Sequence, residues 1–147
     1  MKIKMIKKLN SQIRIRFLSE TDCEDLYNWR NNKVTRKYSI NKNIINKKKH
    51  LSWYASFIAH NRKNTYILLK NKTKIGLCSI REGDKNFKKK YFVKSYLINP
   101  KFRNQGFGSI VLHKSIKKFL QKKKQNIYAI VHINNNPSLI TFLKNDF

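Results

Sequence analysis

The sequence predicts an α/β (α+β) fold built on a mixed sheet, and three observations point to it. Apolar patterns run in the order strand, two helices, three strands, helix, strand, helix. Two of the strands, 65–70 and 74–81, are separated only by a polar turn at 71–73, which makes them an antiparallel hairpin. A longer strand, 91–98, feeds a helix that returns to a further strand at 126–133, and such a crossover implies a parallel pair.

Each element has its own warrant. Residues 13–18 alternate Ile-Arg-Ile-Arg-Phe-Leu with the period of a strand. Residues 19–22 offer several helix caps, and 24–31 carry Leu26, Trp29 and Arg30 on a short helix whose acidic residues lie near its start. A polar stretch, 32–45, has no firm periodicity. Leu51, Tyr54, Ala55 and Ile58 then fall at helical spacing, predicting a helix over 46–60 with those residues inward. Residues 82–88 form a charged loop, and Asn99-Pro100 closes strand 91–98. Ile110, Val111, Leu112, Ile116, Phe119 and Leu120 define an amphipathic helix over 108–123 with a lysine-rich outer face. A last short helix over 137–144 carries Ser138, Leu139 and Phe142. No repeat and no linker divides the chain, so 13–147 reads as one domain behind a basic tail at 1–12.

Charge narrows the partners. There are 34 Lys and Arg against 7 Asp and Glu, a formal net charge of +27. Such a field attracts nucleic acid, anionic lipid or a polyphosphate ligand. The lysines are scattered along the chain, and lysine, asparagine and isoleucine dominate together, as in a chain whose tolerant positions drift toward AT-rich codons. A nucleic-acid-binding reading needs aromatic platforms on a basic face, or a helix-turn-helix or RNA-binding motif, and neither pattern is present. Cys23 and Cys78 lie far apart without metal-ligand spacing, which predicts buried free thiols in a reducing compartment and no metal site. The tail has no apolar run long enough for a signal peptide or membrane span, so the expected compartment is the cytoplasm.

Chemistry concentrates between strand 91–98 and the following helix, in Arg103-Asn104-Gln105-Gly106-Phe107-Gly108. Glycines two apart at a strand-to-helix turn permit positive φ and close approach of a ligand to the backbone. The amides of Gln105 to Ser109 then face outward at the positive end of a helix, a site for a pyrophosphate; the same pattern also serves simple turn geometry. No third glycine completes a dinucleotide fingerprint, and no Gly-Lys-Ser/Thr marks a P-loop.

These residues resemble the acetyl-CoA signature of the GCN5-related N-acetyltransferase (GNAT) family, Gln/Arg-x-x-Gly-x-Gly/Ala, with Arg103, Gly106 and Gly108 at its fixed positions. Asn135, Ser138 and Phe147 match the family's asparagine on the strand after that helix, its small residue three later, and its terminal aromatic. The resemblance spans about residues 13–147 and implies a GNAT-like mixed, mostly antiparallel sheet flanked by helices, lacking the family's final strand pair. An unpaired edge and an open acceptor pocket would follow from that lack, as in a truncated copy. It further implies that acetyl-CoA, the co-substrate, lies along the backbone of Tyr96, Leu97 and Ile98 between two splayed strands. Arg103, Asn104, Gln105, Gly106, Phe107, Gly108, Ser109, Asn135, Ser138 and Phe142 would also contact it, and transfer would pass directly to an amine.

Asn28-Trp29-Arg30-Asn31, Val34-x-Arg36, Ile45 and His50-x-x-Trp53 resemble a subgroup that acetylates the 4-amino group of a UDP-linked amino-deoxy sugar on the route to pseudaminic acid. The same pattern recurs more loosely in ribosomal-protein-type N-terminal acetyltransferases. For an anionic acceptor, Arg30 and Arg36 offer guanidinium contacts, with Trp29, His50 and Trp53 as further candidates. Core packing for the tryptophans, a capping or surface role for His50 and a structural ion pair for Arg30 are the competing readings. Phe142 stands where many members carry a proton-donating tyrosine, and Asp146 stands at the glycine of Gly-Phe. Strand 91–97 lacks an acidic residue, which leaves His50, Glu82, Asp84 or water alone to take the amine proton. The departures also leave room for an inactive coenzyme A-binding protein.

Overall fold

The computed structural model describes residues 12–147, so the expected tail lies outside the described residues except for Gln12. The strands are β1 (Ile13–Phe17), β2 (Thr65–Lys70), β3 (Thr73–Glu82), β4 (Tyr91–Ile98) and β5 (Ile127–Ala129). The helices are α1 (Cys23–Asn31), α2 (Lys33–Lys37), α3 (Lys47–Asn61), α4 (Phe107–Leu120) and α5 (Asn136–Leu143). One sheet takes the strands in chain order; the first three pairings are antiparallel, and β4–β5 is parallel. The predicted hairpin is present, with Lys70 opposite Thr73 and Asn71 turning at φ 54°.

Alternation along the strands divides the core between two faces. Tyr66, Leu68, Ile75, Cys78, Ile80 and Val93 meet Phe107, Val111, Leu112 and Phe119 of α4 and Phe142 of α5. Ile67, Leu69 and Leu77 meet Leu26 and Trp29 of α1 and Tyr54 and Phe57 of α3. Burial of this apolar surface is the main term holding the layers together, about 25 cal/mol per Å². Asp22 pins α1 to the sheet. Its fully buried carboxylate accepts from Arg16 Nη1 and Nη2 at 2.7 Å each, and Lys74 Nζ lies 3.0 Å away. Burial alone would raise its pKa, yet Arg16, the Ser19 amide and Lys74 hold it below the ordinary value.

Five expectations need correction. The inward face of α3 is His50, Tyr54 and Phe57, while Leu51 and Ala55 are exposed. The polar stretch contains α2, started by Asn32, whose Oδ1 accepts from the Val34 amide at 3.1 Å. Helix α4 stops at Leu120, short of residue 123. Strand β5 is only three residues long, because β4 diverges from it beyond Val93. Asn135 consequently lies after the strand, and its Oδ1 caps α5 by accepting from the Ser138 amide at 3.2 Å. Among the described residues, no helix is long and apolar enough to cross a membrane.

Candidate active site

β4 and β5 are joined only where Tyr91–Val93 faces Ile127–Ala129. At the same level the β3–β4 register slips. Ser79 faces Ser95 and Ile80 faces Val93, so Lys94 is the extra residue of a bulge. The bulge turns Tyr96 and Ile98 toward the α4 face, while Leu97 packs on the α1–α3 face. A cleft of about 910 Å³ opens where the strands part. It is bounded by the second half of β4, the start of α4, the α2 region and the segment from Ile130 to Ser138. Tyr96, Leu97 and Ile98 all line it.

The two signature glycines have different physical reasons. Gly106 is the N-cap of α4 at φ 81°, ψ −1°, a left-handed conformation, and nothing lies within 4 Å of where a Cβ would project. Gly108 is helical, and a Cβ there would come within 3.3 Å of the Tyr96 ring and 3.4 Å of Thr141, so its role is close packing of α4 on β4 and α5. No side chain caps α4, and its first carbonyl-bonded amide is that of Ile110, at 3.4 Å from the Gly106 oxygen. The amides of Phe107, Gly108 and Ser109 precede it at the positive end of the helix, beside the open space over Gly106. That donor set suits a pyrophosphate.

The other loop residues divide into those that face the cleft and those that hold it. Asn104 lines it in a left-handed conformation, φ 59°. Arg103 lines it too, but its guanidinium donates to Asn32 Oδ1 at 2.9 Å and to Thr35 Oγ1, tying the loop to α2. Burial holds Arg103 below the ordinary guanidinium pKa. Gln105 is exposed outside the lining, its amide donating to the Lys101 carbonyl. The Phe107 ring is buried in the core, which leaves its backbone as the cleft-facing part. Ser109 Oγ accepts from Asn145 Nδ2 at 3.2 Å. Asn135, Ser138 and Phe142 line the far wall.

The acceptor and catalytic candidates do not all converge. Arg30 and Arg36 line the cleft. Arg36 donates to the carbonyls of Asn31 and Lys42 and so also holds its own loop. Trp29 is core, at 4% exposure, and Trp53 lies outside the lining with Arg30 over its ring at 5.2 Å. His50 is 2% exposed between α1 and α3, and its Nε2 donates to the Cys23 carbonyl at 2.9 Å. Burial, and secondarily the charge of Arg30, hold it below the usual histidine pKa, so it is a neutral packing residue. Glu82 is at the opposite end of β3, where its Oε1 accepts from the Lys89 amide. None of the three candidate bases, His50, Glu82 and Asp84, lines the cleft, whose lining contains no Asp or Glu.

Sequence reading missed Thr35, Lys94, Ser95 and His132, all of which line the cleft. The bulge that exposes Lys94 and Ser95 has no signature in residue type. His132 Nδ1 accepts from the Asn134 amide at 3.2 Å, which puts the proton of the neutral ring on Nε2. Both cysteines are free thiols, and burial pushes Cys78 up to about 12. Among the described residues, no cluster of His, Cys, Asp and Glu could hold a metal.

No curated protein matches the chain in sequence. Solved structures share the fold. The yncA protein of Salmonella typhimurium, solved with acetyl-CoA, is 18% identical over 92% of this chain and 79% of its own, with a TM-score of 0.73. Spermidine N-acetyltransferase from Vibrio cholerae, solved with CoA and spermine, is 17% identical over 91% and 79%, with a TM-score of 0.74. Ribosomal-protein-alanine N-acetyltransferase from Brucella melitensis is 16% identical over 90% and 82%, with a TM-score of 0.73. The model of the acetyltransferase (GNAT) domain matches residues 12–147, every residue the structure describes, and the chain accordingly belongs to the GNAT acetyltransferases, N-acetyltransferases that take acetyl-CoA as co-substrate.

Proposed function

We propose that this enzyme acetylates the 4-amino group of a UDP-linked amino-deoxy sugar. The observation that carries the reading is the charge of the cleft: Arg30, Arg36, Lys94, Arg103 and Lys144 line it without a single carboxylate. That lining attracts a nucleotide diphosphate and repels a polyamine. The sequence pattern around Trp29 to Trp53 supports the sugar-nucleotide choice. A second reading, acetylation of a protein N-terminus, draws on the looser match of the same pattern and on the open cleft.

Acetyl-CoA supplies the thioester, with its pyrophosphate at the amides of Phe107 to Ser109 and its pantetheine along Tyr96 to Ile98. The acceptor's neutral amine attacks the carbonyl carbon; the C–N bond forms, the C–S bond breaks, and the thiolate leaves. The amine's surplus proton passes to solvent, because no carboxylate lines the cleft. Tyr96 donates a proton to the thiolate and recovers it from solvent. Its ring meets Phe142, the residue at the position where many members carry a tyrosine, edge to face at 5.5 Å, and its hydroxyl lies 3.4 Å from where a Cβ at Gly108 would project. Most of the rate then comes from positioning the two substrates.

The test is thiol release from acetyl-CoA with a UDP-4-amino-sugar, spermidine and an alanine-first peptide as competing acceptors. The expected kcat/KM for the sugar nucleotide exceeds the others by at least about 100-fold, the scale of two or so charge-assisted contacts. Preference for the peptide establishes the second reading, and preference for spermidine contradicts both.

A further inference from the structure

Trp53 and Phe57 lie one turn apart on α3 with their rings stacked, centroids 4.8 Å apart and planes 23° apart. Each carries a guanidinium: Arg30 over Trp53 at 5.2 Å and Arg81 over Phe57 at 5.2 Å. Arg30 reaches across from α1 to donate to Ser95 Oγ at 3.3 Å, and Arg81 comes from the end of β3, opposite Phe92. The Nε atoms of both arginines are buried without an acceptor. No carboxylate serves either one among the described residues. Asp22, Asp25, Glu20 and Glu24 are paired elsewhere, and Glu82 is held by the Lys89 amide.

Two like charges drawn out of water over adjoining rings are unfavourable without a counter-charge. Both arginines are held below the ordinary guanidinium pKa, Arg30 by burial and then by the charge of Arg81, Arg81 by burial. Cation–π stacking offsets part of this but offers no acceptor to the Nε–H groups. Arg30 lines the cleft; Arg81 lies outside the lining and acts on Arg30 through its charge.

We propose that Arg30 and Arg81 form the seat of an oxyanion, a phosphate or carboxylate on the acceptor molecule, held by Arg30 and reinforced by Arg81 on the Trp53–Phe57 stack. Such a seat selects acidic acceptors and excludes polycations. Only the identity of the molecule carrying the oxyanion rests on the function proposed above; the seat itself rests on the paired guanidiniums.

The experiment is a ¹⁵N NMR titration of the full chain, saturated with coenzyme A and held at constant ionic strength. Inorganic phosphate and acetate are the probes in separate arms, and the Nε–Hε signals of Arg30, Arg81 and the exposed Arg14 are followed. The Arg30 and Arg81 signals are expected to move together and saturate with one probe, phosphate or acetate, which identifies the oxyanion. Arg30→Gln and Arg81→Gln are each expected to weaken that saturation by at least about tenfold, as the loss of a charge-assisted contact does. Signals that stay fixed in the wild type, or that drift linearly like Arg14, overturn the proposal even if a variant fails to fold. Failure of the cofactor site would be seen separately, as phosphate-induced shifts at the amides of Phe107 to Ser109.

Discussion

The rings of Tyr96, from β4, and Phe142, from α5, meet edge to face at 5.5 Å, and both residues line the cleft. Tyr96 brings the hydroxyl, and Phe142, buried also against Phe147, fixes the ring.

Tyr96→Phe should therefore lower kcat by about 10- to 100-fold, the lower range for loss of a positioned acid, with acetyl-CoA affinity unchanged. Adding Phe142→Tyr to that variant should restore most of the rate, since the new hydroxyl enters the same end of the cleft. Steady-state thiol release across pH measures both. Unchanged turnover in Tyr96→Phe would assign the thiolate's proton to solvent.

His50 provides a stability prediction. Its folded pKa lies below the ordinary value of about 6.5. Between those two values the unfolded chain binds the extra proton, so stability is lost as pH falls through about 6.5 and is fully present above it. Denaturant midpoints should drop between pH 7.5 and 5.5 in the wild type and drop less in His50→Gln, which keeps an N–H for the Cys23 carbonyl. Turnover at pH 7.5 in that variant should stay within about twofold of wild type, as for a residue outside the reacting groups.

Asp146 adopts φ 63°, a left-handed conformation just beyond α5, at the position where the family has glycine. A left-handed conformation costs a non-glycine residue about 1–2 kcal/mol, less for aspartate, and a negative charge at a helix C-terminus adds to the cost. Asp146→Gly should raise stability by about 0.5–1 kcal/mol after the entropy of the unfolded glycine is counted, read as a higher denaturant midpoint at unchanged slope.

Much of this molecule was legible in its residues, and the gaps have identifiable causes. The hairpin through Asn71, the crossover through α4 and the glycine loop follow from local chemistry, and the structure places them as expected. The inward face of α3 was ambiguous because Leu51–Tyr54–Ala55–Ile58 and His50–Tyr54–Phe57 both have helical spacing and share Tyr54; the aromatic face is the buried one. His50 stood near Trp53 in a recognisable pattern, but its partner is a carbonyl 27 residues away, which no spacing reveals. The length of β5 depends on how far β4 stays beside it, and that is set by the bulge at Lys94. Arg81 carries no local signal, and only the fold brings it and Arg30 to the same pair of stacked rings on α3.

The central claim is that acetyl-CoA binds at the parted strands and the start of α4, and calorimetry of acetyl-CoA on wild type and Gly106→Val tests it most directly. Valine at φ 81° is strained by about 1–2 kcal/mol, and its side chain projects into the space left open above the helix amides. The wild type is expected to bind at one site per chain, with a Kd within about 1 μM to 1 mM as for typical co-substrates. Gly106→Val is expected to bind at least about tenfold more weakly, with the circular dichroism of the helices retained. Equal affinity in a folded Gly106→Val protein would contradict binding at this site.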